Sequence, residues 1–298
     1  MRKILVTGGA GYIGTEVCRA IEKSGMKPII ADIDNGRDLR YWSPQGVLIE
    51  NEIDTVIHLA AYTSNPLSFA EALGYFHNNI VSTINLLSSM KRGDRIIFAS
   101  SAAVYGAPLF DRPICEHDMT SPLSPYAQSK LFCEEIIRSA CKQLGIEYVI
   151  LRLFNVAGNK NPNCEALIPQ VIRSLLNQKP INVYGDDYET TDGTAIRDFV
   201  HVEEVALSFI NAIDIVNCNA IFNIGSGDGH SVNQVIDMAE KITGLKAVIN
   251  FMPRRLGDIA SICADISYAK EAIGLRELRD DLYYIIDTEY QYQRRPIK

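Results

Sequence analysis

Two segments carry side chains that could move a proton together: Ser100-Ser101, and Tyr126-Ala127-Gln128-Ser129-Lys130. A tyrosine and a lysine four residues apart lie on one face of a helix. An unperturbed tyrosine is a poor base at neutral pH, with a pKa of about 10. A neighbouring ammonium favours the phenolate and lowers that pKa. A hydroxyl from another segment, here Ser101, can then hold or relay the proton. Such a set could deprotonate a sugar hydroxyl while hydride leaves the same carbon. Taken alone, Tyr-x-x-x-Lys is more often an ordinary helix pair. It acquires chemical meaning only if the chain also builds a nicotinamide site, so the preceding elements decide.

Ile4-Leu5-Val6 is an apolar run of the buried parallel-strand type. Thr7-Gly8-Gly9-Ala10-Gly11-Tyr12-Ile13-Gly14 follows directly. Glycines at 8, 11 and 14 let the backbone turn tightly and approach a pyrophosphate at a helix N-terminus. The pattern predicts a helix over Glu16 to Lys23, a strand over Pro28 to Ala31, and Asp32 at that strand's end. An acid about 20 positions after the glycines accepts hydrogen bonds from the adenosine ribose hydroxyls and repels a 2′-phosphate. The expected cofactor is therefore NAD rather than NADP. Arg37 is the one nearby feature that pulls the other way.

Asp54 to Ala61 reads as another buried strand, whose small final residues let a cofactor approach closely. His58 within it reads as a packed core histidine. Asn78 and Asn79 precede a predicted helix over Ile80 to Met90, either capping it or bracing the strand end near the nicotinamide. Arg95 to Ser101 is a fourth strand that ends on hydroxyls. Ligands of open α/β sheets sit beyond the carboxyl ends of strands, so Ser101 is placed for chemistry. A helix over Pro125 to Leu144, ended by Gly145, carries Tyr126 and Lys130 in its first turns. A fifth strand, Tyr148 to Leu153, closes on Phe154-Asn155. Past the polar loop Ala157 to Asn163 come helices near 167–177, 203–214 and 232–243 and a strand near 222–225. The predicted class is α/β, a Rossmann-type doubly wound parallel sheet over 1–155 with a returning segment near 198–225. A smaller, discontinuous C-terminal lobe over 156–197 and 226–298 would take the substrate.

The 298 residues, 47% hydrophobic and 22% charged, suffice for two such lobes. A net charge of −7 without a basic run argues against nucleic acid or an anionic membrane as partner. The seven cysteines are scattered, with no C-x-x-C pair. They read as reduced thiols of a cytoplasmic protein, not as a disulfide or metal frame. No signal-peptide layout precedes the first strand, and no apolar run reaches membrane-spanning length.

The segments TGGAGYIG, IDTVIHLAA, FASSAAVYG, SPYAQSK, LRLFNVAG, VYGDDYETTDGTAIRDFVHV and PRRLGDIASICAD resemble those of the extended short-chain dehydrogenases/reductases. Within that family the chain is most similar to the UDP-glucose 4-epimerases, mainly through SSAAVYG and GDDYETTDGTAIRDFVHV. The resemblance implies NAD-dependent inversion at C4 of a UDP-sugar through a transient 4-keto sugar. It implies a homodimer formed through helices at about 79–90 and 125–144. Gly8, Gly11, Tyr12, Ile13 and Gly14 would hold the pyrophosphate, Asp32 the adenosine ribose, and Asp38 and Leu39 would border the adenine. Leu59, Ala60, Ala61, Asn78 and Phe154 would complete the cofactor's surroundings with Tyr126 and Lys130. Ser101, Tyr126 and Lys130 would be the catalytic set. Asn155 and Leu167 would contact the nucleotide sugar, and Tyr184 would stack on uracil. Arg197, Arg255 and Asp258 would bind the phosphates and ribose.

Two segments depart from the family pattern. The stretch between Asp32 and Asp54 is short, as if a strand and a helix were trimmed. Ala166-Leu167-Ile168-Pro169 lacks the asparagine usual before its leucine. Ile262 takes the position that, by the resemblance, gates the size of the sugar's C2 substituent, so N-acetylhexosamines stay open beside hexoses and uronates. Rival chemistries divide on simple features. A 4,6-dehydratase needs an acid pair after the serine, where Ala102 and Ala103 stand. A 4-keto-sugar reductase would use exchangeable NAD(P)H. A non-catalytic NAD-binding regulator would show no turnover, since fold does not fix function.

Overall fold

The apolar runs of the sequence pair in parallel to form one sheet, in the order β2-β1-β3-β4-β5-β9. Its strands are β1 (Lys3–Thr7), β2 (Lys27–Ala31), β3 (Thr55–His58), β4 (Arg95–Ser101), β5 (Glu147–Leu153) and β9 (Ala220–Ile224). The computed structural model describes residues 1–159, 166–215, 219–274 and 281–294. Residues 160–163 of the polar loop, Cys164 and Cys218 lie outside the described residues. From β1 the chain passes to β2 on one side and to β3 on the other. The strand order therefore reverses at β1, which opens a crevice beyond the carboxyl ends of the strands. β2 ends the sheet. A 3-10 turn at Ile33–Asn35 and a short helix, α2 (Gln45–Glu50), separate it from β3, which accounts for the brevity of that stretch.

Helices cover both faces, which is why the strands are continuous apolar runs. One face buries Val17 and Ile21 of α1 (Tyr12–Lys23) with Val205 and Phe209 of α7 (Val202–Ile213). The other buries Leu86 and Leu87 of α4 (Ala72–Ser88) with Cys133 and Ile137 of α5 (Pro125–Leu144). The short α3 (Asn65–Ala70) precedes α4. α5 is delimited as its sequence dictates. The Ser124 hydroxyl accepts from the Ala127 N–H at 3.2 Å, Pro125 occupies the first turn, and Gly145 closes the helix in the left-handed region.

The remaining chain builds a second core from α6 (Leu167–Leu176), α8 (Val232–Thr243) and α10 (Leu282–Gln293), around Val171, Val235 and Ile285. Small strands accompany it: β6 (Asn155–Ala157), β7 (Ile181–Tyr184), β8 (Ile196–His201), β10 (Gly229–Ser231), β11 (Ile249–Met252) and β12 (Ser261–Ile262). β8 pairs with β6, β10 and β12, so residues 198–201 of the stretch expected to return lie in this small sheet. α9 (Ser267–Ile273) packs back on the main core through Ala269 and Ile273.

Two sequence expectations are corrected. α1 begins at Tyr12 rather than Glu16, because extended Gly11 is its N-cap and the glycine loop runs straight into the first turn. Asn78 and Asn79 do not cap a helix. They lie inside α4, which starts at Ala72, so the capping alternative falls.

His58 is a core histidine. It is buried, with Nδ1 2.7 Å from the Thr7 hydroxyl and Nε2 3.1 Å from the Thr83 hydroxyl. Burial pushes its pKa down to about 3. The unfolded chain binds this proton near pH 6.5, the folded chain only near 3, so the stability contributed is present above 6.5 and is lost as pH falls toward 3. Between pH 7 and 5 this one group should cost about 2 kcal/mol. Urea unfolding at the two pH values checks it. His58→Gln should lose less stability on acidification than the wild type, and an equal loss would remove His58 as the cause.

Candidate active site

All residues expected around the cofactor line one cavity of about 800 Å³, which runs along the carboxyl ends of the sheet. The glycine loop is shaped by contacts that exclude side chains. A Cβ on Gly8 would lie 2.7 Å from the Ala60 nitrogen, and Gly8 has a φ of +71°. A Cβ on Gly14 would lie 2.1 Å from the Gly8 carbonyl oxygen. Gly11 caps α1 without a side chain, so the first amides of the helix are left for an anion. The Asp32 carboxylate accepts from the Ala10 N–H at 3.0 Å, fixing the acid beside the loop. Tyr12 donates its hydroxyl to the Gly158 carbonyl at 2.6 Å, tying α1 to the end of β6. These features fit a dinucleotide: a pyrophosphate on the glycines and helix terminus, a ribose on Asp32. Gly14→Ala forces the loop backbone apart and should weaken NAD binding about ten- to a hundredfold, read by calorimetry. Unchanged affinity would show that the loop yields freely.

The adenine side is more confined than the sequence implied. Asp38 lines the cavity but holds Arg40 in a two-pronged pair, with Arg40 Nη2 2.6 Å from Oδ2. That pairing lowers the Asp38 pKa. Leu39 is buried beside it. Arg37 donates to the Ile30 carbonyl at 2.7 Å and lies 5.5 Å from the Trp42 ring, so its charge is directed to the sheet edge.

Ser101 ends β4, and its hydroxyl accepts from the Ala103 N–H at 3.2 Å. α5 brings Tyr126 and Lys130 to the same cavity one turn apart. Burial raises the Tyr126 pKa; the Ser101 hydroxyl acts in the opposite direction, and Tyr75 raises it further. The expectation that Lys130 lowers the tyrosine's pKa is not met. Lys130 is buried, donates to the Ala99 carbonyl at 2.7 Å, and lies 4.8 Å from the Phe98 ring centroid. Desolvation of the ammonium lowers its own pKa to about 8. In this state the helix face orients both groups, while burial sets the direction of both shifts.

Two networks support the set: the first takes the bracing alternative offered for the asparagines, and the second escaped sequence reasoning. Asn79 accepts from the Tyr62 N–H at 2.8 Å and donates to the Ser129 hydroxyl at 2.8 Å. It braces the chain after β3 against α5, while Asn78 donates to it at 3.0 Å. Beneath the serines, Arg152 forks onto Glu134 with nitrogens 3.1 and 2.7 Å from the two oxygens, and the Ser100 hydroxyl donates to the same carboxylate. The signal was present: Glu134 follows Lys130 by four residues and so shares its face.

At the far end of the cavity stand Asn155, Arg197, Asp258 and Ile262. Arg197 Nη2 lies 3.5 Å from the Asp258 carboxylate, and burial lowers the guanidinium's pKa. Asp198, fully buried, accepts from the Ser226, Gly227 and Ala264 N–H groups and anchors the strand beside Arg197. Leu167, Tyr184 and Arg255 do not line the cavity. Leu167 packs against the second core. Arg255 lies 3.7 Å over the Tyr184 ring, so the two residues assigned to different parts of a nucleotide contact each other.

Comparison with known proteins agrees with this architecture. Residues 4–225 match the model of the NAD dependent epimerase/dehydratase family. The UDP-glucose 4-epimerase of Streptococcus mutans is 35% identical over 322 residues, covering 97% of this chain and 96% of that protein. The crystal structure of UDP-glucose 4-epimerase from Bifidobacterium longum in complex with NAD+ and UDP superposes with a TM-score of 0.89 at 33% identity, covering 98% of each chain. That of UDP-glucuronic acid 4-epimerase from Bacillus cereus, in complex with UDP-glucuronic acid and NAD, gives 0.88 at 29% identity over 97% of this chain and 98% of the other. A glycine cradle that admits no Cβ, a Ser/Tyr/Lys set at the sheet's carboxyl edge and full-length likeness converge: the chain belongs to the NAD dependent epimerase/dehydratase family.

Proposed function

We propose that this protein is an NAD-dependent 4-epimerase of a UDP-hexose of the UDP-glucose/UDP-galactose type. The observation that carries the reading is a single cavity joining the glycine loop, the Ser101/Tyr126/Lys130 set and the Arg197–Asp258 pair. Residues 1–155 and about 198–225 serve NAD in this reading, and 156–197 with 226–298 serve the nucleotide sugar. NAD, when bound, accepts a hydride and gives it back. The chain's own part is positioning and proton transfer. Tyr126 as phenolate takes the proton from the sugar's 4-hydroxyl, and Ser101 bonds the reacting oxygen. Lys130 supplies the positive charge that favours the phenolate once the site is filled. The 4-keto sugar turns over, and Tyr126 returns the proton to the oxygen on the opposite face. Arg197 and Arg255 offer planar forks for the diphosphate. For Arg255 this entails leaving the Tyr184 ring, which would then be free to meet uracil.

Ala102 and Ala103 supply no acid for a dehydratase. We also assign a homodimer, supported by exposed apolar Leu73 and Ile84 on α4 and Phe132 on α5. A cytoplasmic location is supported by free thiols at Cys18, Cys115, Cys133, Cys141 and Cys263. Among the described residues no helix is long and apolar enough to cross a membrane. The test is incubation of purified protein with UDP-glucose and no added cofactor. UDP-galactose, detected by NMR, supports a retained, recycled NAD. Turnover only of a UDP-N-acetylhexosamine or UDP-uronate would move the substrate. Net NAD(P)H consumption on a 4-keto sugar, with no isomer, would replace the epimerase by a reductase.

A further inference from the structure

Buried polar groups normally have partners, so an exception calls for a cause. Among the described residues, three buried side-chain atoms have none: Asn65 Oδ1, Tyr188 Oη and Asn233 Oδ1. Of these three residues only Asn65 lines the cavity. It is the first residue of α3, and the chain that delivers it is held on two sides. On one side, Asn79 grips the Tyr62 backbone, accepting from its N–H at 2.8 Å and donating to its carbonyl at 3.2 Å. The Tyr62 ring lies 5.6 Å from that of Tyr75, which meets the Tyr126 ring at 6.5 Å. The Ser64 hydroxyl then caps α3, accepting from the Leu67 N–H at 3.3 Å. On the other side, Phe69 stands one turn after Asn65 and shares its face. A Cβ on Gly257 would lie 3.1 Å from Phe69 Cζ and 3.7 Å from the Leu123 carbonyl oxygen, so Phe69 closes on the turn that leads into Asp258. Leu123, Gly257 and Asp258 line the cavity as well. Asn65 therefore stands in the wall between Tyr126 and the Arg197–Asp258 pair.

We propose that Asn65 is a further substrate-binding residue, whose side-chain amide hydrogen-bonds a hydroxyl of the hexose where it lies between Tyr126 and the Arg197–Asp258 pair. The assignment deepens the nucleotide-sugar reading and rests on it. An amide carries an acceptor and two donors, and a sugar hydroxyl both donates and accepts, so the two match in either sense. The Ser68 hydroxyl donates to the Asn65 backbone carbonyl at 2.6 Å and makes no claim on the amide. Nothing holds Oδ1 in the wall, and the terminal torsion of an asparagine is broad, so a half-turn brings either end of the amide to the cavity. An oxygen that meets a donor on binding recovers free energy lost on its burial. A uronate carboxylate, which only accepts, would use the N–H end alone, so the amide suits a neutral hexose better.

Asn65→Leu tests this, because it keeps the size of the side chain and removes both hydrogen-bonding ends. NAD-loaded wild type and variant are assayed with UDP-glucose, titrated with UDP by calorimetry, and melted without either. The expected kcat/KM for UDP-glucose falls about three- to tenfold, chiefly through KM. The Kd for UDP, which carries no hexose, stays within about twofold. The melting midpoint stays equal or rises, since an unpartnered buried oxygen gives way to carbon. Asn65→Ala, which removes the amide without adding a branch, is held to the same readings. An unchanged kcat/KM in both variants overturns the proposal. An equal loss of affinity for UDP overturns it too, because the amide would then serve the nucleotide arm or the shape of the cavity. A loss that comes with a lower melting midpoint in both variants assigns the amide to packing and likewise overturns it. A wild type that takes up no UDP, or takes it up and converts no UDP-glucose, overturns the UDP-hexose reading together with this assignment, and so is told apart from a failure of the amide alone.

Discussion

Tyr126→Phe is expected to abolish epimerisation while leaving NAD in place. Among the described residues the phenol is the only acidic or basic side chain in the cavity wall that shares a helix face with Lys130 and stands beside Ser101. Loss of a positioned general base typically lowers turnover by about 10²–10⁴-fold. The ring itself packs edge-on to Tyr75, with centroids 6.5 Å apart, and phenylalanine keeps that contact. Burial of the hydroxyl disfavours the phenolate in the protein as it stands. Because the ring packing is kept, the variant should melt close to the wild type. Two readings are needed: product formed per unit time, and NAD released by denaturing a known amount of protein. Turnover within about tenfold of wild type would remove Tyr126 from the chemistry. Lost turnover together with lost NAD would turn the residue into a cofactor contact instead.

Arg152→Met is expected to have the largest effect on stability. Arg152 and Glu134 have side chains only 5% and 1% exposed, and they are joined at 2.7 Å. A paired buried ion is tolerated because its partner compensates for lost hydration. Removing one member leaves an isolated buried charge and typically costs about 3–5 kcal/mol. The guanidinium also lies 4.8 Å from the Tyr105 ring centroid and donates to the Glu116 carbonyl at 3.2 Å, so a methionine loses those contacts too. Chemical denaturation gives the difference directly. Replacing both partners, as Glu134→Leu with Arg152→Met, should regain much of the loss, since no charge is then left unpaired. A single variant within about 1 kcal/mol of wild type would show that water reaches Glu134. The double variant should still turn over slowly, because the Ser100 hydroxyl loses the carboxylate that holds the end of β4 against α5.

Much of the site was readable from local pattern, because the features involved are fixed over a few residues. A glycine that must allow a backbone carbonyl to approach within the reach of a Cβ is marked by its own identity. That holds for Gly14, whose neighbours Gly8 and Gly9 lie in the same loop, whereas Gly8 meets Ala60 just past β3. The Tyr126–Lys130 pair is set by helical periodicity, and its helix is delimited by Ser124, Pro125 and Gly145. Serine at the carboxyl end of an apolar strand is placed by the direction of a parallel sheet. Residue types and spacing therefore determined the α/β class, the position of the cofactor loop and the proton-transfer set.

What the tertiary structure decided depends on groups far apart in the chain meeting in a low-dielectric interior. Asn79 has the composition of a cap, yet it sits mid-helix because α4 extends back to Ala72 and packs on α5. Lys130 has the spacing to activate Tyr126, yet it donates to the Ala99 carbonyl and its pKa falls, because burial disfavours the ammonium. Arg255 and Tyr184 are separated by 71 positions and stack only because β7 and β11 pair in parallel register. Spacing along a chain specifies which groups can share a face; only packing specifies how much water they lose and which partner replaces it.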